Sequence, residues 1–292
     1  NGQKVTTEKG IEYVFEAPPM PANRILFIAH GCGHSALDFW PKSPQCLNCV
    51  GLPEERRIVT KALTRGYFVV AVSSAGQDHG GCWDVKVDAK KVMRVLSLIK
   101  KKHSNLRTAP IFALGASSGG HMVAALGSRL HDIGGLCIQI MAPDISFQMN
   151  QQLFPPSQWI YMQKDSRTQQ DVADTVSALR RSGAVVDSVL AKQLAITESF
   201  FSDRIEEVTV DISRAIYQAL KENSAFTDLG YLRADPRHSN WRSWLADIKD
   251  DLKPDGLIAD KSPIAEVLNV AYALHEITSE HMDSTLNFFE KA

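Results

Sequence analysis

The chain has 292 residues, enough for one large α/β domain or two smaller domains. Hydrophobic residues make up 44% of it and charged residues 22%, so a sizeable core can form without disulfides. With a formal net charge of −1, the chain has no excess of positive charge that would attract nucleic acid or an anionic membrane. No apolar stretch is long enough to span a bilayer.

The first two thirds of the chain alternate between strand-like and helix-like patterns. Two apolar segments, 5–7 and 11–15, flank a Lys9-Gly10 turn and predict an antiparallel hairpin. Short apolar runs then predict strands at 25–29, 68–72, 111–114, 136–141, 159–162 and 185–190. Amphipathic segments between them predict helices at 54–65, 85–99 and 118–130, and around 172–179 before Gly183. This alternation predicts a mostly parallel sheet covered by helices on both faces, with a site at the rim where strands end.

The pattern changes after residue 190. Residues 192–260 contain apolar stripes at helical spacing, one from Ile212 to Leu220 and one from Trp241 to Leu252. They predict a helical insertion laid over the core of residues 1–191 as a cap, and the alternative is a packed extension remote from any site. Residues 261–292 are expected to add helices that complete the core. The aromatic residues of the insertion could line an acyl pocket, although aromatics at helical spacing are more often core: Phe200, Phe201, Tyr217, Trp241 and Trp244.

The turn Gly115-Ala116-Ser117-Ser118-Gly119 joins an apolar strand to an apolar helix. A turn this tight leaves no room for a Cβ at Gly115 or Gly119, and it lifts the serine hydroxyl above the sheet at a helix N-terminus. This context favours a nucleophilic Ser117 over a structural glycine-rich turn.

Together the serine turn, the parallel sheet and the chain order resemble the α/β-hydrolase family. The resemblance covers roughly residues 5–190 and the C-terminal helix. It implies an α/β-hydrolase fold and a catalytic triad in the order serine, acid, histidine. Asp165, which ends the strand Ile160-Tyr161-Met162, matches the acid, and Asp144 at the end of the preceding strand is the alternative.

The family places its catalytic histidine in a loop before the last helix. Ser279 is a plausible N-cap of a final helix from Met282 to Phe289, so His275 would lie before this helix and His281 in its first turn. His275 is the favoured candidate and His281 the alternative. One departure from the family pattern is that the helical insertion separates this histidine from the last strand.

The loop His30-Gly31-Cys32-Gly33-His34, after the 25–29 strand, resembles the His-Gly-x-Gly loop of the family. The resemblance implies an oxyanion hole formed by the backbone N–H groups of Cys32 and Ser118. Glycines on both sides of Cys32 let this backbone approach a substrate closely.

The odd number of cysteines, five, leaves at least one unpaired, and Cys137 in an apolar run is the expected buried thiol. A metal site is the competing interpretation of one group of residues: His30, Cys32, His34, Cys46 and Cys49. A disulfide between Cys46 and Cys49, or between Cys32 and Cys82, accounts for them better, so no metal and no cofactor are expected. An oxidised Cys46–Cys49 pair would favour a secreted or extracellular protein.

The residues therefore predict a serine hydrolase that cleaves an ester, thioester or amide of a small molecule through an acyl-enzyme intermediate. An acyltransferase or lyase on the same fold and a non-catalytic ligand receptor are the alternatives. No nucleic-acid partner is expected.

Overall fold

The computed structural model describes residues 1–76, 80–143, 154–251 and 262–291. Its centre is an eight-stranded sheet in the order β1-β2-β4-β3-β5-β6-β7-β8. The strands are β1 (Gln3–Thr6), β2 (Glu12–Glu16), β3 (Arg24–Ala29), β4 (Tyr67–Val72), β5 (Ile111–Ala116), β6 (Ile133–Gln139), β7 (Ser157–Met162) and β8 (Val186–Ala191). β1 and β2 are antiparallel to their neighbours and the other strands are parallel, which confirms the predicted fold class.

The helices follow the order expected for a sheet covered on both faces. They are α1 (Pro53–Thr64), α2 (Val85–Lys102), α3 (Ser118–Gly127), α4 (Ser166–Arg181), α5 (Val210–Glu222), α6 (Trp241–Trp244), α7 (Pro263–Tyr272) and α8 (Met282–Lys291). Short 3₁₀ helices lie at Ala36–Phe39, Ser104–Leu106, Pro236–His238 and Ala246–Asp251. Among the described residues, no helix has the length and apolar character needed to cross a membrane.

Two apolar clusters cover the sheet. Because side chains alternate along a strand, Ile25 and Phe27 of β3 belong to the cluster that includes residues of α2, α3 and α4, whereas Leu26 and Ile28 belong to the cluster on the opposite face that includes residues of α1 and α8. All six residues of β5 are buried, so its carboxyl end is held firmly in the middle of the sheet.

β6 begins earlier than the sequence predicts, at Ile133. The reason is a pair of glycines, which strand patterns normally exclude. A Cβ at Gly134 would press against the ring of Phe112, and one at Gly135 against the ring of Phe289. Glycine therefore lets two aromatic rings pack against the strand, a long-range requirement that the local pattern does not show.

The segment after β8 has an apolar cluster of its own. Phe201, Ile216 and Trp241 are buried in it and pack together with α7. The predicted second stripe forms only the short α6 followed by a 3₁₀ helix, and Leu252 at its end lies outside the described residues. Phe200, Phe201 and Trp241 are thus core residues of this segment.

Candidate active site

Ser117 sits at the sharp turn between β5 and α3. Its backbone has φ 54° and ψ −120°, a strained conformation for a residue with a side chain. A Cβ at Gly119 would collide with the carbonyl oxygens of Ala29 and His30, and one at Gly115 would collide with the start of α3. The absence of a Cβ at both positions permits this tight turn. The Ser117 side chain is half-buried at the carboxyl edge of the sheet.

Asp165 follows β7 and caps the N-terminus of α4. Its Oδ1 accepts the Thr168 backbone N–H at 3.2 Å, and its Oδ2 lies 2.8 Å from Nδ1 of His275. Burial raises the pKa of Asp165, but the hydrogen bonds from His275 and Thr168 outweigh it and hold the pKa below its ordinary value. This carboxyl group is therefore charged at neutral pH.

His275 completes a hydrogen-bonded chain with the other two residues. Its Nε2 lies 3.0 Å from Oγ of Ser117, while its Nδ1 faces Asp165. The ring is 46% exposed, so water can reach it. His281 lies immediately before α8, not in its first turn, and its carbonyl accepts the Thr285 N–H at 2.9 Å; burial lowers the pKa of its ring. The alternative acid Asp144 lies outside the described residues.

The loop that carries His275, residues 273–278, contains two left-handed residues without being rich in glycine. Ala273 has φ 59° and His275 has φ 46°. The sheet holds this loop at both ends. Lys164 donates its N–H to the Ala273 carbonyl at 2.9 Å, and the side chain of Gln139 both accepts from the Thr278 N–H and donates to its carbonyl, at 2.9 and 3.0 Å.

Arg237, from the predicted insertion, holds the same loop from the other side. Its guanidinium donates to the carbonyls of Leu274 and His275, at 2.8 and 3.0 Å, and to the carboxylate of Glu276 at 3.0 Å. A planar guanidinium is suited to contacts that diverge in this way. The sequence showed only a polar turn at Asp235-Pro236-Arg237, because the partners of Arg237 lie far along the chain.

Glu54 anchors the residue that follows this loop to α1. It is fully buried, and its Oε2 accepts both the N–H and the hydroxyl of Ser279, at 2.6 and 2.7 Å. Its other oxygen accepts from Arg204 at 3.2 Å. The hydroxyl of Ser279, the predicted cap of the last helix, thus donates to Glu54. A long-range hydrogen bond takes the place of the local capping bond that the sequence predicts.

His30, the first residue of the predicted oxyanion loop, is a structural group. Burial lowers the pKa of His30 to about 4, so its ring is neutral at physiological pH. Nδ1 donates to the Gly31 carbonyl at 2.7 Å, and Nε2 accepts the Ser74 N–H at 3.0 Å. With both nitrogens engaged, His30 fixes the shape of the loop and cannot also ligate a metal.

The loop after His30 is fixed by a disulfide between Cys32 and Cys82 and by the Gly33 N–H, which donates to the Gly80 carbonyl at 2.7 Å. Among the described residues, the Cys32 N–H has no acceptor, and Ser118 is the first residue of α3, where helix N–H groups lack an internal partner. Both predicted oxyanion donors are therefore available.

The other two cysteines of the metal interpretation are also paired. Cys46 and Cys49 form a second disulfide, as expected, so they are not thiolate ligands. Cys137 is a free, buried thiol, and burial raises its pKa to about 12. Within the described part of the chain, no group of three or more potential ligands could hold a metal ion.

Ser117 and His275 line a cavity of about 580 Å³. A second cavity of about 270 Å³ adjoins it and extends to Trp241 of the segment after β8. The two cavities share four side chains, here called the polar wall: His34, Arg237, Asn269 and Glu276. The predicted nucleophile therefore faces a space with a charged and hydrogen-bonding boundary.

Two buried glutamates adjoin the polar wall: Glu55, in the first turn of α1, lines the cavity of Ser117, and Glu266, in the first turn of α7, lines the second cavity. Burial raises the pKa of Glu55 to about 7, and burial together with the neighbouring Glu55 charge raises the pKa of Glu266 well above its ordinary range. Burial lowers the pKa of His34, but its hydrogen bond to Asp38 and the charge of Glu55 outweigh this and raise the pKa to about 9. His34 is therefore a cation at neutral pH. Sequence patterns gave no signal for this group, since it is assembled from three separate segments.

Solved structures provide the comparison for this architecture. A putative dienelactone hydrolase from Klebsiella pneumoniae aligns at a TM-score of 0.50 and 11% identity, over 77% of this chain and 98% of the hydrolase. Pyrococcus horikoshii acylaminoacyl peptidase aligns at a TM-score of 0.50 and 12% identity, over 87% of this chain and 44% of the peptidase. The chain has the α/β-hydrolase fold.

A thermostable esterase aligns at a TM-score of 0.49 and 12% identity, over 67% of this chain and 55% of the esterase. The chain thus spans about half the length of the esterase and of the peptidase. No family model matches the chain, and no curated protein matches it.

In this α/β-hydrolase fold, the buried pair Glu55 and Glu266 makes stability depend on pH. The ordinary carboxyl pKa is 4.5, whereas that of folded Glu55 is about 7, so between these values the folded protein binds more protons than the unfolded chain. The unfolding free energy is expected to fall with rising pH over this window, by on the order of 3 kcal/mol at about 1.4 kcal/mol per pKa unit.

Glu55→Gln removes this titration, so its unfolding free energy should decline less between pH 4.5 and 7 than that of the wild type. Urea unfolding at a series of pH values measures it. Glu222→Gln on the exposed end of α5 is the control and should keep the wild-type slope. Equal slopes for the wild type and Glu55→Gln would contradict the assignment.

Proposed function

We propose that the protein is a serine hydrolase that cleaves an ester, thioester or amide bond of a small molecule. The observation that carries the proposal is the continuous hydrogen-bonded chain from Ser117 through His275 to Asp165. A serine hydroxyl needs a base to remove its proton and a carboxylate to orient that base, and this chain provides both.

In the first half of the reaction, Oγ of Ser117 attacks the carbonyl carbon while Nε2 of His275 takes the hydroxyl proton. The charge on the carbonyl oxygen is stabilised by the N–H groups of Cys32 and Ser118. The tetrahedral intermediate then collapses to an acyl-enzyme, and His275 gives its proton to the departing alcohol, thiol or amine.

In the second half, His275 takes a proton from water, and the resulting hydroxide attacks the acyl-enzyme. The acid product leaves as the proton returns to Oγ of Ser117. Throughout, the negative charge of Asp165 stabilises the imidazolium and keeps Nε2 directed at the serine. The exposure of the His275 ring to solvent supports hydrolysis over acyl transfer, which needs water excluded.

We further infer that residues 192–260 act as a cap. The contacts from Arg237 to the loop of His275, and the position of Trp241 in the adjoining cavity, support this role. The two disulfides support an oxidising compartment, in agreement with a secreted protein. The hydrolase and peptidase names of the structural neighbours agree with the proposed chemistry.

Ser117→Ala is expected to lower the hydrolysis rate of 4-nitrophenyl acetate by at least about 10³-fold, since the nucleophile is lost. Its urea-unfolding midpoint should stay near that of the wild type. Ser128→Ala, at the opposite end of α3, is the matched control and should retain full activity. Activity in Ser117→Ala comparable with that of the wild type would rule out the mechanism.

Arg237→Met removes three hydrogen bonds to the His275 loop and is expected to lower kcat by about 100-fold, the cost of a displacement near 1 Å in an active site. KM should change much less, because the loop positions the base rather than the substrate. Arg237→Lys should not restore kcat, because an ammonium cannot span the same acceptors.

Arg233→Met is the control for the integrity of the cap. Arg233 belongs to the same segment and donates to the Phe226 carbonyl at 2.8 Å. If both methionine variants lower kcat equally, Arg237 has only a structural role and the positioning claim is wrong.

A further inference from the structure

The polar wall contains two hydrogen-bonding atoms that have no partner in the part of the chain that the structure describes. Nδ1 of His34 lies 3.2 Å from Asp38, but its Nε2 has no partner among the described residues. The Asn269 amide nitrogen donates to Glu276 at 3.0 Å, while its oxygen accepts no bond from the described part of the chain. Both residues line the cavity of Ser117.

These two atoms are complementary. The cationic ring of His34 offers an N–H donor, and the amide of Asn269 offers an acceptor. A hydroxyl group can accept from the first and donate to the second, whereas an alkyl group can do neither. A hydrocarbon group in the cavity would remove water from both atoms without replacing the hydrogen bonds that the water made. This loss would make the binding free energy less favourable.

The charges beside the wall argue against an anionic ligand. His34 already faces the carboxylate of Asp38, and Arg237 is bonded to that of Glu276. Glu55 also lines the same cavity. A substrate carboxylate would meet these acidic groups, while a neutral hydroxyl would not.

We propose that the cavity beside Ser117 binds a neutral, hydroxylated group of the substrate through His34 and Asn269, so that the preferred esters carry hydroxyl groups on their acyl or alcohol part rather than a plain hydrocarbon chain. This inference rests on the proposed hydrolase function. His34 is thereby a specificity-determining residue in addition to the residues of the triad.

Matched ester pairs test the proposal on each side of the scissile bond. 4-Nitrophenyl butyrate is compared with 4-nitrophenyl 3-hydroxybutyrate for the acyl side, and propyl acetate with glycerol monoacetate for the alcohol side. In at least one pair the hydroxylated ester should have a kcat/KM roughly tenfold higher or more, since a site with hydrogen-bonding groups discriminates against an analogue that leaves them unpaired.

His34→Leu should reduce that ratio to about one, and His34→Gln, which keeps an N–H donor, should retain part of it. His131→Leu is the matched control and should keep the wild-type ratio, because this residue lies exposed beyond the far end of α3. If His34→Leu fails to fold, the comparison of His34→Gln with His131→Leu still tests the proposal. The proposal requires that the ratio of kcat/KM for the hydroxylated ester to kcat/KM for the plain ester be lower in His34→Gln than in His131→Leu.

Equal kcat/KM values within both pairs would overturn the proposal, as would a His34 variant with the wild-type ratio. A preference for 4-nitrophenyl monosuccinate over both hydroxylated esters would also overturn it and point to an anionic ligand. Labelling of Ser117 by a fluorophosphonate separates this failure from failure of the proposed function. A labelled enzyme without hydroxyl preference refutes only the substrate class, whereas no labelling and no hydrolysis of any ester refutes both.

Discussion

The position of His275 depends on buried hydrogen bonds that tie one irregular loop to the rest of the protein. Residues 273–278 include two left-handed residues that are not glycine, a conformation that persists only where the surroundings determine it. Gln139, at the end of β6, bonds both backbone groups of Thr278, and the buried carboxylate of Glu54 bonds Ser279 directly after the loop. Without these contacts the imidazole has no fixed relation to the turn that presents Ser117.

The same contacts connect the segment after β8 to the site. Glu54 accepts from Arg204, and Arg237 bonds the loop of His275 directly. Two arginines of this segment therefore support the histidine: Arg237 contacts its loop directly, and Arg204 contacts Glu54, which bonds the residue after the loop. In the proposed enzyme, the cap is thus part of the support for the base as well as a wall of the cavity, so its packing and the alignment of the triad are coupled.

The sequence predicts those features of the site that are encoded locally. The turn at Ser117 needs glycines two residues away on each side, and Asp165 directly follows a recognisable strand, so both can be located by pattern and by family resemblance. His275 and His281 are harder to separate, because a loop defined by left-handed residues leaves no compositional signature. The structure brings His275 to Ser117.

Other residues of the site could not have been found from local patterns. Glu54 bonds a serine 225 positions away, and the pair of Glu55 with Glu266 joins the first turns of two helices from opposite ends of the chain. In sequence these glutamates are ordinary first-turn residues, which favour the positive end of a helix. Only tertiary packing buries them and adds the charge of Glu55 to the local hydrogen bond with Asp38 that raises the pKa of His34.

Mass spectrometry of the acid-quenched enzyme during turnover of 4-nitrophenyl acetate tests whether Ser117 is the nucleophile, because a covalent intermediate is the chemical signature of the proposed triad. We expect an acetyl adduct in the peptide that contains Ser117, with fragmentation placing it on Ser117 and not on Ser118. An adduct on any other residue, or turnover with no adduct at a time resolution that captures the pre-steady-state burst, would contradict this assignment.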